Sequence, residues 1–276
     1  MIGATTMMAG TFWPHDESGK VRAQESESSE AESRFEDHIE TDRDSFTPST
    51  PTVGQGRFVL ESAYSFIDRG HRPSAHSYPE ILGRYGLNEW IELRVGWNME
   101  VGGGNPVSSI GGPDEDLGVG GLPRESRTLY GFKIVATRQQ DWLPESSFVV
   151  QGFTPTSGEE DATEMSATYV WGWELPHEWK LDSAVRFATD REGDDHFVTW
   201  SPSTVLRVPF GERWNGHIEY FGNIPSGLAD GKSQHYFSTG PHVLLTPNLE
   251  LGVRVGWGLN DASARFFTNA GFGWRF

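Results

Sequence analysis

Asn248-Leu249-Glu250-Leu251-Gly252-Val253-Arg254-Val255-Gly256-Trp257-Gly258-Leu259 alternates at every position. Leu249, Leu251, Val253, Val255, Trp257 and Leu259 share one face, and Asn248, Glu250, Gly252, Arg254, Gly256 and Gly258 share the other. Successive side chains of a strand point to opposite sides, so this stretch reads as a strand with one apolar and one polar face. Ile91, Leu93, Val95 and Trp97 oppose Glu92, Arg94, Gly96 and Asn98 in the same way. Between Trp179 and Phe187, Lys180, Asp182 and Arg186 interleave with Trp179, Leu181, Val185 and Phe187.

Extending this pattern predicts strands at 56–67, 77–86, 89–98, 127–138, 146–153, 163–175, 178–189, 196–209, 212–222, 233–246, 248–259 and 265–276. Bacterial single-chain membrane barrels have an even strand number, as here. The connections sort by parity. Odd ones (68–76, 99–126, 154–162, 190–195, 223–232) are expected to be long, and even ones (Leu87-Asn88, 139–145, Pro176-His177, Gly211, Pro247) shorter. Membrane barrels keep short turns at the periplasmic end and long loops outside, whereas a soluble sandwich has no reason to sort its loops.

Composition removes other classes. The 276 residues carry 22 Lys+Arg against 39 Asp+Glu, a net charge of −17, which disfavours nucleic acid because phosphate contacts need cations. There is no cysteine, hence no disulfide, thiolate metal site or cysteine nucleophile. Mean hydropathy is −0.50, and no apolar run approaches the roughly 18 residues of a membrane helix, so a bilayer could be crossed only by a closed barrel.

Residues 1–50 differ from the rest, with eleven acids, four bases and no periodicity. They are expected to form an acidic, disordered N-terminal segment, with the barrel occupying 51–276. Met1–Gly10 lacks the basic lead and apolar core of a secretion signal, so it reads as a misassigned start or the remnant of an export region.

Three features point the apolar face at lipid. Trp90, Trp179 and Trp214 follow short turns, and Trp97, Phe187 and Tyr220 lie six to eight residues further on, a girdle-like spacing. With Trp257, Trp274 and Phe276, the tryptophans at 90, 97, 179 and 214 are the expected lipid-interface aromatics. The other face is highly charged: Arg57, Glu61, Glu80, Arg84, Glu92, Arg94, Lys180, Asp182, Arg186, His217, Glu219, Glu250, Arg254 and Arg275 are expected to face a wet lumen. Finally, Phe272-Gly273-Trp274-Arg275-Phe276 ends the chain on alternating aromatics, as outer-membrane barrels do.

Glu40-Thr41-Asp42-Arg43-Asp44-Ser45-Phe46-Thr47, then Thr52-Val53-Gly54-Gln55-Gly56 and Leu60-Glu61-Ser62-Ala63-Tyr64-Ser65-Phe66, carry a resemblance. Further matching stretches are Arg84-Tyr85-Gly86-Leu87, Glu89-Trp90-Ile91-Glu92-Leu93-Arg94, Thr246-Pro247-Asn248-Leu249-Glu250-Leu251, Gly258-Leu259-Asn260-Asp261 and Gly271 to Phe276. Over about 40–276 the chain resembles the outer-membrane barrels labelled putative MetA-pathway of phenol degradation, often described as transporters. Asp44 departs from the proline that family often has. The resemblance implies a barrel, export to a Gram-negative-type outer membrane and passage of small organic molecules, and it brings no catalytic residues.

The resulting expectation is a passive channel or transporter for small solutes, aromatic ones among the candidates. The alternative is a closed barrel serving as a surface scaffold or adhesion protein. Expected partners are outer-membrane lipid, the barrel assembly machinery and a small solute. No enzyme is expected: His76 and Ser77, like His235 and Ser238, have opposite parity, and no G-x-S-x-G elbow occurs. Neither metal nor cofactor is expected, since the acidic runs Asp114-Glu115-Asp116, Glu159-Glu160-Asp161 and Asp194-Asp195 read as solvated loops. The segment 41–47 is expected to fold into the periplasmic mouth as a plug with Asp42 and Arg43 pairing to lumen charges, or to be a plain lead-in strand.

Overall fold

The computed structural model describes residues 38–111, 124–158, 162–192, 195–229 and 231–276. The acidic runs at 114–116 and 159–161, Asp194, and residues 1–37 of the acidic segment lie outside them. Twelve antiparallel strands close into a barrel in which each strand pairs with its chain neighbours and β1 pairs with β12. They are β1 (Phe58–Asp68), β2 (Ala75–Gly86), β3 (Ile91–Val101), β4 (Arg124–Thr137), β5 (Glu145–Ser157), β6 (Glu164–Glu174), β7 (Lys180–Glu192), β8 (Asp195–Pro209), β9 (Trp214–Ser226), β10 (Gln234–Thr246), β11 (Leu249–Gly258) and β12 (Phe266–Arg275). Closure runs from Val59 opposite Arg275 to Asp68 opposite Phe266, and the Phe276 N–H donates to the Phe58 carbonyl at 2.8 Å. No sheet edge is left for lipid to meet.

All twelve predicted strands are present. One connection differs from expectation: β7 runs to Glu192 and β8 resumes at Asp195, the two residues pairing with each other, so the expected loop at 190–195 is mostly strand. Paired strands that continue beyond the bilayer replace a long loop there. The parity rule is therefore looser than the sequence suggests.

The alternation decides which face is hidden. In β11, Glu250, Gly252, Arg254 and Gly256 are buried, while Leu251, Val253 and Trp257 are exposed. In β3, Glu92, Arg94, Asn98 and Glu100 are buried, while Leu93, Val95 and Met99 are exposed. Charged residues inside and aliphatic residues outside invert a soluble protein and match a barrel spanning lipid.

Trp90, Trp179, Trp214, Trp274 and Phe276 are exposed at the end that carries the short turns 87–90, 175–179 and 247–248. Trp257 is exposed toward the opposite end, where Phe187 and Trp200 meet at an inclined angle with ring centroids 3.5 Å apart, and Trp97 is half-buried. This outward apolar band makes the chain a transmembrane barrel of the outer-membrane type. Val253 lies mid-strand and 46% exposed. Val253→Arg is expected to cost about 2–4 kcal/mol of folding free energy in lipid vesicles, measured by denaturant titration. A cost near zero would place that face in water.

Candidate functional site

The lumen is occupied from both ends. From the short-turn end, residues 38–56 make an excursion inward and back. The Ile39 N–H donates to the Pro247 carbonyl at 2.9 Å, the chain reaches its deepest point at Phe46, and it returns where the Gly56 N–H donates to the Gly86 carbonyl at 2.8 Å. Residues 38–50 were expected to belong to the disordered segment. Instead Thr41, Asp42, Asp44, Ser45, Phe46, Thr47, Ser49 and Thr50 are all buried, because the barrel wall supplies the core this polar stretch cannot build alone.

Asp42 anchors the excursion. Its carboxylate accepts from Arg94 at 2.6 Å and Lys133 at 3.1 Å, lies 3.7 Å from Arg84, and accepts from the Ser49 hydroxyl at 2.5 Å. Glu61 accepts the N–H groups of Asp42 and Arg43, each at 3.0 Å, and Arg84 bridges Glu61 and Glu92. A second wall carboxylate, Glu219, accepts the Phe46 N–H at 3.1 Å, the Thr47 N–H at 2.8 Å and the Thr47 hydroxyl at 2.9 Å. Phe46 stacks on Phe221 with ring centroids 4.5 Å apart. Backbone N–H groups of an irregular segment need partners when buried, and here the wall carboxylates provide them.

Two lumen-facing glycines make the room. A Cβ at Gly86 would sit 1.8 Å from the Gly54 carbonyl oxygen, and one at Gly273 would sit 2.3 Å from the Thr41 methyl. Thr41 also donates to Glu250 at 2.8 Å.

From the opposite end, residues 102–111 after β3 fold inward. The Asn105 side chain donates to Glu80 at 2.7 Å, Arg254 donates to the Val107 carbonyl at 2.8 Å, Asn223 donates to the Pro106 carbonyl at 2.9 Å, and Arg186 donates to the Ser109 carbonyl at 3.0 Å. Val107 and Phe46 meet in one apolar cluster with Ile67, Ala75, Phe221, Tyr236, Ala264 and Phe267.

Of the lumen charges read from the sequence, the structure brings Glu61, Arg84, Glu92 and Arg94 together around Asp42. Glu219 and Arg254 pair at 2.9 Å beneath Phe46. Glu80 holds the inward loop, Glu250 holds Thr41, Lys180 pairs with Glu40, and Asp182 pairs with Arg207 at 2.5 Å. Three expectations need correction. Arg57 lies in the turn before β1, half-buried at the rim, because β1 starts one residue later. Arg275 donates to Asn248 at 2.8 Å in an exposed contact at the rim, since β12 ends there. The Arg43 guanidinium forms no ion pair among the described residues, and its Nε and one terminal nitrogen are buried without a partner.

Lys133 and Arg207 were missed. Lys133 sits between Phe132 and Ile134, and Arg207 between Leu206 and Val208, so the same parity rule would have found both. The groups once weighed for hydrolysis separate: His76 bonds Tyr64, His235 bonds Tyr220, and Ser238 donates to Glu219. Asp44, His242 and Glu250 offer three buried ligand atoms within 4.8 Å of one another, the one such grouping among the described residues. Arg207 beside Asp44 at 3.5 Å supplies positive charge there already.

Burial alone would raise the Asp42 carboxyl, but Arg84, Lys133 and Arg94 reverse this and hold it well below its ordinary value. For Asp44 burial is likewise outweighed, chiefly by Arg207, and its carboxyl is also lowered. Lowered carboxyls stabilise docking fully above their ordinary value of 3.8, and that contribution is lost as pH falls through the lowered values. Protease protection of 38–50 is therefore expected to hold from about pH 7 to about pH 5 and to weaken only below about pH 4. Loosening already at mildly acidic pH would contradict this anchoring.

The chain has relatives of the same shape. An outer membrane channel from Pseudomonas putida F1 superposes with a TM-score of 0.53 at 13% identity, covering 86% of this chain and 100% of that one. The translocator domain of the autotransporter NalP from Neisseria meningitidis gives 0.52 at 10% identity, covering 95% and 98%. The KdgM porin in complex with disordered oligogalacturonate gives 0.50 at 10% identity, covering 79% and 99%. At such identities the likeness concerns the fold alone. No curated protein matches the chain by sequence. A family profile described as "Putative MetA-pathway of phenol degradation" matches residues 41–276, which include the inward stretch from Thr41 and every strand. With the profile spanning both the barrel and its inward N-terminal segment, the chain belongs to that family.

Proposed function

We propose that this protein is a passive outer-membrane channel for small solutes, constricted by its own N-terminal segment and by the loop after β3. The observation that carries the reading is the lumen itself. Its wall is lined by charged and hydroxyl side chains, which hold the inward segments by polar contacts that water can replace, beside one apolar cluster around Phe46 and Val107. Residues 38–50 act as the plug, with Asp42 as the anchor and Phe46 at the constriction. The charges at Arg94 and Arg254 set ion preference. The barrels of similar shape named as a channel and as a porin support the same reading.

Purified protein in planar bilayers is expected to give discrete current steps, with a reversal potential in a salt gradient that shifts when Arg254 is replaced by Gln. A silent membrane containing correctly folded protein would overturn the reading and leave a closed scaffold.

A further inference from the structure

Residues 38–56 and 102–111 enter the lumen from opposite ends, and three separate contacts join them where they meet. The first is direct. Phe46 at the deepest point of one segment and Val107 of the other are 2% and 1% exposed and share one apolar cluster. Withdrawal of either segment would uncover apolar surface on the one that stays, so each favours the other's place.

The second contact runs through an ion pair of the wall. Arg254 of β11 donates one terminal nitrogen to the Val107 carbonyl at 2.8 Å and the other to Glu219 of β9 at 2.9 Å. Glu219 in turn accepts the backbone N–H groups of Phe46 and Thr47 at 3.1 and 2.8 Å. A carbonyl of one segment and two amides of the other therefore hang on a single buried pair. Ser238 fixes that pair from behind, accepting from Arg254 Nε at 3.0 Å and donating to Glu219 at 2.9 Å. Members of such a buried network support one another, and losing one leaves its neighbours short of a partner.

The third contact is Arg186 of β7, which also faces Asp190 and Glu164. It donates to the Ser109 carbonyl at 3.0 Å, and its guanidinium lies 5.2 Å from the centre of the Phe46 ring. A cation over a ring is attracted to it, so this side chain also holds both segments at once. Further out, each segment has anchors of its own. Asn105 and Ser108 donate to Glu80 of β2 at 2.7 and 3.3 Å, and Thr41 donates to Glu250 of β11 at 2.8 Å.

We propose that the two segments form one coupled gate, with Arg254 and Arg186 as the wall residues that tie them. Loosening 102–111 at the outer end weakens the seat of 46–48, and loosening 38–56 at the short-turn end weakens the seat of 107–109. The gate rests on the channel reading for its purpose, though the coupling itself is measured without any current.

The chain has no cysteine, so single reporters can be placed cleanly. Pro48→Cys reports on one segment and Ser109→Cys on the other, each labelled with a small water-soluble maleimide in folded protein in lipid nanodiscs. Asn105→Ala with Ser108→Ala cuts only outer anchors, yet it should speed labelling at Pro48→Cys by roughly fivefold or more, as coupled sites do. Thr41→Val cuts only an anchor at the short-turn end, and it should speed labelling at Ser109→Cys, because coupling between two sites is reciprocal. Val107→Gly, which loosens its segment directly, provides a second variant for the first arm. Pro48→Cys labelled at the wild-type rate in both outer variants would overturn the gate, as would an effect in one direction only. Reciprocal effects in a protein that passes no current would support the coupling and remove the channel reading. A conducting protein whose reporters ignore each other's segment would do the reverse.

Discussion

Deleting residues 38–50 should raise single-channel conductance by roughly fivefold or more, since the barrel wall closes without them and a twelve-stranded lumen is wide enough for water once emptied. Glu61, Glu219 and Lys133 would then trade plug contacts for water rather than be left bare. Bilayer recordings on the folded variant provide the measurement. Current equal to wild type would mean that the segment does not obstruct the path. Gly273→Val serves as a second, gentler variant: its Cβ would meet the Thr41 methyl at 2.3 Å, displacing the plug without removing a charge. It should increase open-state noise more than mean current.

The second large effect belongs to Asp42. Arg84, Arg94 and Lys133 converge on it, and all three are almost wholly buried. Asp42→Ala leaves these cations facing one another in the lumen with only Glu61 and Glu92 to balance them. Removing one partner from a buried ionic group costs about 3–5 kcal/mol, so the plug should leave its seat even though the strands stay paired. Limited proteolysis of the folded protein should then cut within 38–50 much faster than in wild type, while resistance to denaturant of the barrel changes little. Undiminished protection would show that Glu219 and the Phe46–Phe221 stack hold the segment unaided. Asp42→Asn keeps the Ser49 contact and should fall between the two.

Both effects reside in a part of the chain whose role the sequence only half discloses. The strands are legible because a strand's two faces repeat every two residues. In β11 and β3 that repeat alone separates Glu250, Arg254, Glu92 and Arg94 from Leu251, Val253, Leu93 and Val95. The same rule reaches Lys133 and Arg207 once applied to β4 and β8. It fails at strand ends, which is why Arg57 and Arg275 lie at the rim: parity says which way a side chain points, not how deep it lies.

What occupies the inside has no such signature. Asp42 finds its cations on β2, β3 and β4, and Phe46 finds Phe221 on β9, across separations set by barrel closure and not by any local pattern. Polar, acidic composition makes 38–50 look unable to fold, and by itself it has no means to bury its backbone. The wall carboxylates Glu61 and Glu219 supply the missing hydrogen-bond partners, and glycines at 86 and 273 supply the space. By itself the sequence determined a closed membrane barrel, because alternation is a local property of the chain. Only the tertiary structure decided that residues 38–56 enter the lumen from one end and residues 102–111 from the other, because those contacts exist only once β12 has met β1.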